Sequence, residues 1–269
     1  MATATLSNRP AMPSRALEEP RVRDIGEADL REALAKGWDD FMAMPSHVFF
    51  VVVLYPIIGL VLGSMIFGYN ALSLLFPLMS GFALIGPFAA IGLYELSRRR
   101  EQGLDTSFAL AFTAFRGPSG GSILALGCIL LAIFAAWLVT ARALYGMLLG
   151  SASAETIPDL LRLVLTTPQG WALIVLGNAV GFAFSLVTLA VTAVSFPLLL
   201  DRPVGLSTAI GTSIRVMQKN PRTMVAWGCV VAVVLAAGML PLFVGLAVAL
   251  PILGHASWHL YRRAVEDVG

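Results

Sequence analysis

Long apolar runs alternate with short polar stretches along most of this chain. Several runs approach or exceed the ~20 residues that a helix needs to cross a bilayer. Inside lipid, backbone polar groups must be satisfied within the segment, which favours helices. The pattern predicts an all-α, polytopic membrane bundle with about six spans. The predicted spans are residues 47–67, 72–96, 122–141, 171–200, 223–240 and 242–260.

The last apolar block, residues 223–261, allows two interpretations. As one helix it would be about 60 Å long, at about 1.5 Å per residue, against a hydrocarbon core of about 30 Å. Gly238, Pro241 and Pro251 offer places to break it. Two short spans fit the membrane width, and one long tilted helix is the alternative.

The first 45 residues are mostly polar. Residues 1–26 contain Pro10, Pro13 and Pro20 with mixed charges, so they are predicted to be a disordered cytoplasmic tail. Residues 27–45 are predicted to contain an amphipathic helix that lies in the membrane interface or packs on the bundle. Residues 262–269 form a second predicted tail. On the amphipathic helix, the apolar positions are Leu30, Ala33, Leu34, Gly37, Trp38 and Phe41, and the polar faces carry Arg31, Glu32, Asp39 and Asp40.

Composition supports a membrane protein and argues against nucleic acid as a partner. Hydrophobic residues make up 58% of the chain and charged residues 13%, whereas soluble domains have roughly half and a quarter. A net charge of +2 is too small to suggest nucleic-acid binding.

Basic residues cluster on one side of the predicted spans, whereas the loop on the other side contains only Arg142 and Arg162. Because cytoplasmic loops concentrate Lys and Arg, the N-terminus and the basic loops are predicted to be cytoplasmic. The loop residues expected to contact lipid headgroups are Arg98, Arg99, Arg100, Arg116, Arg202, Arg215, Lys219 and Arg222.

Two stretches about 100 residues apart indicate an internal parallel repeat. Gly103-Leu104-Asp105-Thr106 and Gly205-Leu206-Ser207-Thr208 each open a short amphipathic segment, which is followed by an apolar run. Those runs carry the pairs Gly127-Cys128 and Gly228-Cys229. The predicted unit is span, interfacial helix, span. The interface between the two copies either forms a binding site or serves only to pack the two copies together.

Three motifs carry a family resemblance. They are Gly37-Trp38-x-Asp40-Phe41, Gly86-Pro87-x-x-Ala90-x-Gly92-Leu93-Tyr94-Glu95-x-Ser97-Arg98-Arg99, and Gly254-His255-Ala256-x-Trp258-His259-Leu260-Tyr261-Arg262. With them the chain resembles the bacterial domain-of-unknown-function 2189 family. The resemblance implies a multi-pass protein of the bacterial inner (plasma) membrane with no established activity. Members are sometimes labelled cytochrome c oxidase subunit I, but the chain has too few spans and, with three histidines, too few ligands for that label.

The three histidines are the candidate cofactor ligands. His255 and His259 share a helix face at i and i+4, and His47 begins the first span. They are either haem or metal ligands, or members of an interfacial belt with Trp258 and Tyr261. Because no carboxylate or cysteine is visibly placed to complete a metal site, no cofactor is expected, with haem as the alternative.

Other polar residues have two interpretations each. Glu95 is expected to pair with Arg98 and Arg99, and Tyr94 with Glu95 could instead line a cytoplasmic vestibule. A stripe of polar residues could line a path for a neutral solute or form hydrogen bonds between helices. The stripe consists of Asn178, Ser185, Thr188, Thr192 and Ser195.

These features favour a non-enzymatic membrane protein that acts through lipid or partner-protein contacts at its cytoplasmic face. No ionisable residue lies near the middle of a predicted span, so ion-driven transport is disfavoured. The alternatives are a transporter or channel for a small neutral solute, and a haem-binding redox component. The expected partners are membrane lipids, with a membrane protein or a second copy of the chain as further candidates.

Overall fold

A computed structural model describes residues 19–44, 77, 86–88, 90–150, 156–241 and 244–266 of the chain. Throughout these residues the regular structure is helical, apart from one isolated bridge that pairs Val22 with Val265. The predicted all-α class is therefore confirmed. The helices are α1 (Glu27–Ala43), α2 (Ile91–Glu101), a 3₁₀ helix (Phe108–Arg116), α3 (Gly120–Leu149), α4 (Ile157–Thr166), α5 (Pro168–Thr192), α6 (Ser195–Asp201), α7 (Leu206–Lys219), α8 (Pro221–Met239) and α9 (Leu246–Ala264).

Three helical segments of the described residues are long and apolar enough to cross a membrane. They are Gly120–Leu149, Pro168–Asp201 and Pro221–Met239. These segments overlap the predicted spans 122–141, 171–200 and 223–240. Span 47–67 and most of span 72–96 fall outside the described residues, and α9 has a polar C-terminal half that keeps it from qualifying. The count of six spans stays a prediction.

The last apolar block is two helices, α8 and α9, so the single long helix is wrong. The two helices approach closely where they are joined. A Cβ atom on Gly245 would lie only 2.8 Å from the Cα atom of Gly238. The absence of side chains at these two positions allows the chain to turn back tightly.

The amphipathic segment was predicted either to lie in the membrane interface or to pack on the bundle. The structure shows that helix α1 packs along α9. Leu30, Ala33 and Gly37 are buried on the packed face, and a Cβ atom on Gly37 would lie 2.7 Å from the Cβ atom of Ala256. Asp40 shares this face and is 3% exposed. The prediction that Asp40 belongs to a polar face is therefore wrong.

The ends of the described chain pair with each other. Arg23 N donates to the carbonyl of Ala264 at 2.9 Å, and Ile25 N donates to Asn220 Oδ1 at 2.9 Å. The predicted disordered tail is therefore corrected for residues 19–26, whereas residues 1–18 lie outside the described part. The C-terminal tail also starts later than predicted, because α9 continues to Ala264.

The two predicted repeat copies have the same order of elements but different local structure. The amphipathic segment of the first copy is the 3₁₀ helix, and that of the second is α7, a 14-residue α-helix. Each is followed by a long apolar helix, α3 or α8. The repeat stays a prediction.

Candidate functional site

Five side chains from three helices meet at a largely buried polar cluster, four of them around a hydrogen-bonded core and the fifth, Arg100 of α2, at its edge. Asp40 comes from α1, Ser97 from α2, and His255 and His259 from α9. Ser97 Oγ donates to Asp40 Oδ2 at 2.5 Å and lies 2.8 Å from His255 Nδ1. His259 Nε2 lies 2.9 Å from Asp40 Oδ2, and Arg100 donates to Asp40 Oδ1. We call these five residues the Asp40 cluster.

Small residues let the three helices approach closely enough to form the Asp40 cluster. Gly37 lies one turn before Asp40 on α1 and touches the backbone of α9 at Ala256. Gly254 precedes His255, and a Cβ atom there would collide with the side chain of Leu93 on α2. Because His255 and His259 are four residues apart, both point toward α1 and α2 from one face of α9.

The hydrogen-bond directions in the cluster follow from the carboxylate. An ionised carboxylate only accepts, so Ser97 Oγ–H and His259 Nε2–H both donate to Asp40. The single hydroxyl proton of Ser97 is then used, and Ser97 Oγ accepts from His255 Nδ1–H. Burial raises the pKa of Asp40, but hydrogen bonds from His259, Ser97 and Arg100 outweigh it and hold that pKa below its ordinary value of 3.8.

The arrangement links helices and does not activate a nucleophile. In a serine–histidine–carboxylate triad, the histidine takes the hydroxyl proton and the carboxylate orients the histidine. In the Asp40 cluster the hydroxyl of Ser97 donates a hydrogen bond to the carboxylate, and both Ser97 and His255 are 0% exposed. No hydroxyl is therefore presented to a substrate.

Two of the three candidate cofactor ligands, His255 and His259, belong to the Asp40 cluster. The shared face predicted for His255 and His259 is present, and Ser97 and Asp40 contact their ring nitrogens. Among the described residues, no three His, Cys, Asp or Glu side chains are grouped to hold a metal ion. His47 lies outside the described residues.

Glu95 forms the local ion pairs expected for it. Arg98 donates to both of its carboxylate oxygens at 2.9 Å, and Arg99 Nε donates to Oε1 at 2.6 Å. The Glu95 side chain is 2% exposed, and Tyr94 is 3% exposed. The charge of Glu95 is therefore neutralised by two arginines, whereas Tyr94 lines a cavity of about 260 Å³.

A second group of polar contacts joins α9 to α2 and α6. Trp258 Nε1 donates to Glu101 Oε2 at 2.9 Å, and Tyr261 Oη donates to Asp201 Oδ2 at 2.6 Å. Arg262 Nε donates to Glu101 Oε1 at 3.1 Å. Trp258 and Tyr261 are each 1% exposed, so the alternative in which they belong to an interfacial belt exposed at the membrane surface is wrong.

Six of the eight basic residues predicted to contact lipid headgroups form ion pairs or hydrogen bonds within the protein, although Arg100 and Lys219 remain exposed. Arg202 Nη2 donates to the carbonyl of Glu266 at 2.6 Å, and Arg215 pairs with Glu19 at 2.6 Å. Lys219 pairs with Asp24 at 3.3 Å. Arg98, Arg99 and Arg100 bind Glu95 and Asp40, as described above.

Arg116 and Arg222 differ from the other six basic residues in having no ion-pair partner among the described residues. Both are exposed. Arg116 ends the 3₁₀ helix just before α3, and Arg222 is the second residue of α8. They therefore lie at two corners of the chain, each near the start of a long apolar helix, α3 or α8.

The polar stripe on α5 is divided between two cavities. Ser185, Thr188 and Thr192 line a cavity of about 260 Å³, and Asn178 lines another of about 350 Å³. Asn178, Ser185 and Thr192 each donate to the carbonyl four residues earlier in their own helix. Ser195 also donates to the carbonyl of Ala209, which links α6 to α7.

Sequence reasoning assigned no role to Asp40, Ser97, Glu101 or Asp201. Asp40 and Ser97 do belong to the first two motifs of the resemblance, and the histidines belong to the third. The signal was present in those motifs, but nothing in the sequence showed that the three motifs meet.

Comparison with known proteins supports the resemblance. The model of a family described as "Predicted integral membrane protein (DUF2189)" matches residues 75–201, which include Ser97 and extend to the end of α6. Searches of the curated proteins and of the solved structures returned no match. Asp40, His255 and His259 lie outside the matched segment. The resemblance is confirmed over residues 75–201, which hold the second of the three motifs and match this family of predicted integral membrane proteins.

Proposed function

We propose that this protein is a non-enzymatic, six-span protein of the bacterial inner membrane that binds anionic lipid headgroups at its cytoplasmic face. Arg116 and Arg222 are the proposed contact residues. A cationic side chain near the membrane surface contributes about 1 kcal/mol to the attraction of anionic lipid. The proposal keeps both termini and both basic loops on the cytoplasmic side.

The observation that supports this proposal is the contrast among the basic residues. Six of the eight candidates bind acidic side chains or backbone carbonyls of the same chain, so their charge is already partly neutralised. Arg116 and Arg222 are exposed and have no ion-pair partner among the described residues. Exposed cations at the ends of apolar helices are suited to phosphate-bearing headgroups.

A binding role agrees with the character of the Asp40 cluster. Asp40, Ser97 and His255 are buried in it, and its hydrogen bonds join α1, α2 and α9. We therefore assign the cluster to architecture and the two corners to recognition.

Retention of lipid during purification tests the proposal. The native protein is reconstituted in nanodiscs that contain phosphatidylcholine and a minor fraction of phosphatidylglycerol, and the lipids that remain bound after detergent extraction are counted by mass spectrometry. We expect phosphatidylglycerol to be enriched several-fold around the native protein. The enrichment should disappear in the double variant Arg116→Gln/Arg222→Gln.

Arg162→Gln is the matched control, because Arg162 is also exposed but lies on α4, beyond the opposite end of α3. It should leave the enrichment unchanged. An equal lipid ratio in the native protein and the double variant would reject the lipid proposal. Enrichment of a co-purifying protein in place of lipid would also reject it, and would favour a partner protein instead.

A further inference from the structure

The cavity of about 260 Å³ lies between α5, α8 and α9 and is largely apolar. Phe182, Leu189, Trp227 and Leu253 are among the side chains that line it. An apolar protein cavity of roughly 150 Å³ stays dry and admits benzene. The larger cavity in this protein therefore has room for a hydrocarbon ligand.

Most hydroxyl groups around the cavity are already used as donors. Ser185, Thr192 and Ser257 each donate to the carbonyl four residues earlier, at 2.9, 2.7 and 2.7 Å. Thr188 Oγ1 is buried without a hydrogen-bond partner among the described residues. A polar solute would lose its hydrogen bonds to water on entry and would find one unpaired hydroxyl, that of Thr188, in return.

The cavity reaches the outer face of α8. Cys229 and Ala232 line it, and both are exposed. Helix α8 is one of the three segments that are apolar enough to cross a membrane. In a bilayer the exposed face of such a helix contacts acyl chains, so the material beside the opening is hydrocarbon.

An exposed cation lies above this opening. Arg222 is seven residues before Cys229 in α8, which is nearly two full turns, so the two residues share a face about 10 Å apart along the helix. We infer that the cavity holds one acyl chain of an anionic phospholipid whose headgroup is bound by Arg222. This inference rests on the proposed function, and it adds where one chain of the lipid is placed.

Photo-crosslinking tests the inference. Phosphatidylglycerol with a diazirine near the end of one acyl chain is added to nanodiscs of phosphatidylcholine that hold the full-length protein. Labelled peptides are then mapped by mass spectrometry. We expect labels on cavity-lining residues of α5 and α8. A phosphatidylcholine probe with the same chain should give several-fold less label, and Arg222→Gln should reduce the phosphatidylglycerol signal to that level.

Ala232→Trp fills the opening, and Ala237→Trp is the matched control, because Ala237 is exposed on the same helix but does not line the cavity. We expect a several-fold loss of cavity labelling in Ala232→Trp alone. If that variant fails to fold, Cys229 can be alkylated in the folded Cys128→Ser protein, and blocking the opening in this way should produce the same loss.

The outcomes separate this inference from the proposed function. Equal labelling in the two tryptophan variants, or labels confined to the outer face of α8, would overturn the cavity assignment while phosphatidylglycerol enrichment continues to support the proposed function. If the native protein shows no preference for phosphatidylglycerol over phosphatidylcholine, both are overturned.

Discussion

The hydroxyl group of Ser97 donates to the carboxylate of Asp40 at 2.5 Å, although 57 residues separate them in the chain. This bond joins α2 to α1 in a layer where α9 contributes His255 and His259. The carboxylate is 3% exposed and accepts hydrogen bonds from three side chains. The Asp40 carboxylate is therefore the common hydrogen-bond acceptor of the cluster.

Replacement of Asp40 by alanine should destabilise the protein strongly. The change leaves Arg100, Ser97 and His259 without their common acceptor. Breaking a buried charge pair typically costs about 3–5 kcal/mol, and we expect the lower end because the Arg100 side chain is 40% exposed. Thermal unfolding in detergent measures the loss. Asp39→Ala is the control, since Asp39 is exposed on the same turn, and identical melting temperatures for the two variants would contradict the prediction.

The contribution of Asp40 to stability should depend on pH. Its pKa is lower in the folded protein than its ordinary value of 3.8, so in that range the folded state binds fewer protons than the unfolded state. The stabilisation is therefore present above the ordinary value and is lost as the pH falls through the folded-state pKa. The melting-temperature difference between the native protein and Asp40→Asn should shrink over this acidic range. A difference that is constant with pH would show that Asp40 does not carry the charge assigned to it.

Substitution of Gly37 by alanine should separate α1 from α9. The added Cβ atom would lie 2.7 Å from both the Cβ atom and the backbone nitrogen of Ala256, which is too close for real atoms. Overpacking of this kind costs typically about 1–3 kcal/mol. Gly211→Ala is the matched control, because a Cβ atom at Gly211 in α7 would contact nothing within 4 Å. Chemical unfolding of the two variants measures the effect, and equal stabilities would show that the two helices can move apart without cost.

Arg98 and Arg222 should respond differently to replacement by glutamine. Arg98→Gln removes a two-bond contact to Glu95 and should lower the free energy of unfolding by about 1–3 kcal/mol, since Arg99 still neutralises the carboxylate. Arg222→Gln should leave stability unchanged and reduce the enrichment of phosphatidylglycerol. Paired measurements of melting temperature and bound lipid test this division. Lipid loss in Arg98→Gln without destabilisation would contradict it.

Several features followed from local sequence alone. Apolar runs long enough to span a bilayer predicted the helices that contain residues 122–141, 171–200 and 223–240, because the cost of unpaired backbone groups in lipid depends only on local composition. Spacing at i+3 and i+4 placed Arg98 and Arg99 beside Glu95, and spacing at i+4 placed His255 and His259 on one face, because helix geometry determines such neighbours.

Contacts between distant segments were decided only in the folded protein. Asp40 was expected on a polar face of α1, since a carboxylate alone is costly to bury, but donors from α2 and α9 satisfy it. Trp258 and Tyr261 had the composition of an interfacial belt, yet both side chains are buried and donate to Glu101 and Asp201. The sequence determined which segments are helical and apolar. The packing of α1 and α2 against α9 decided which charges are buried. A buried charge is stable only where partner groups from other segments neutralise it, and local sequence does not specify those partners.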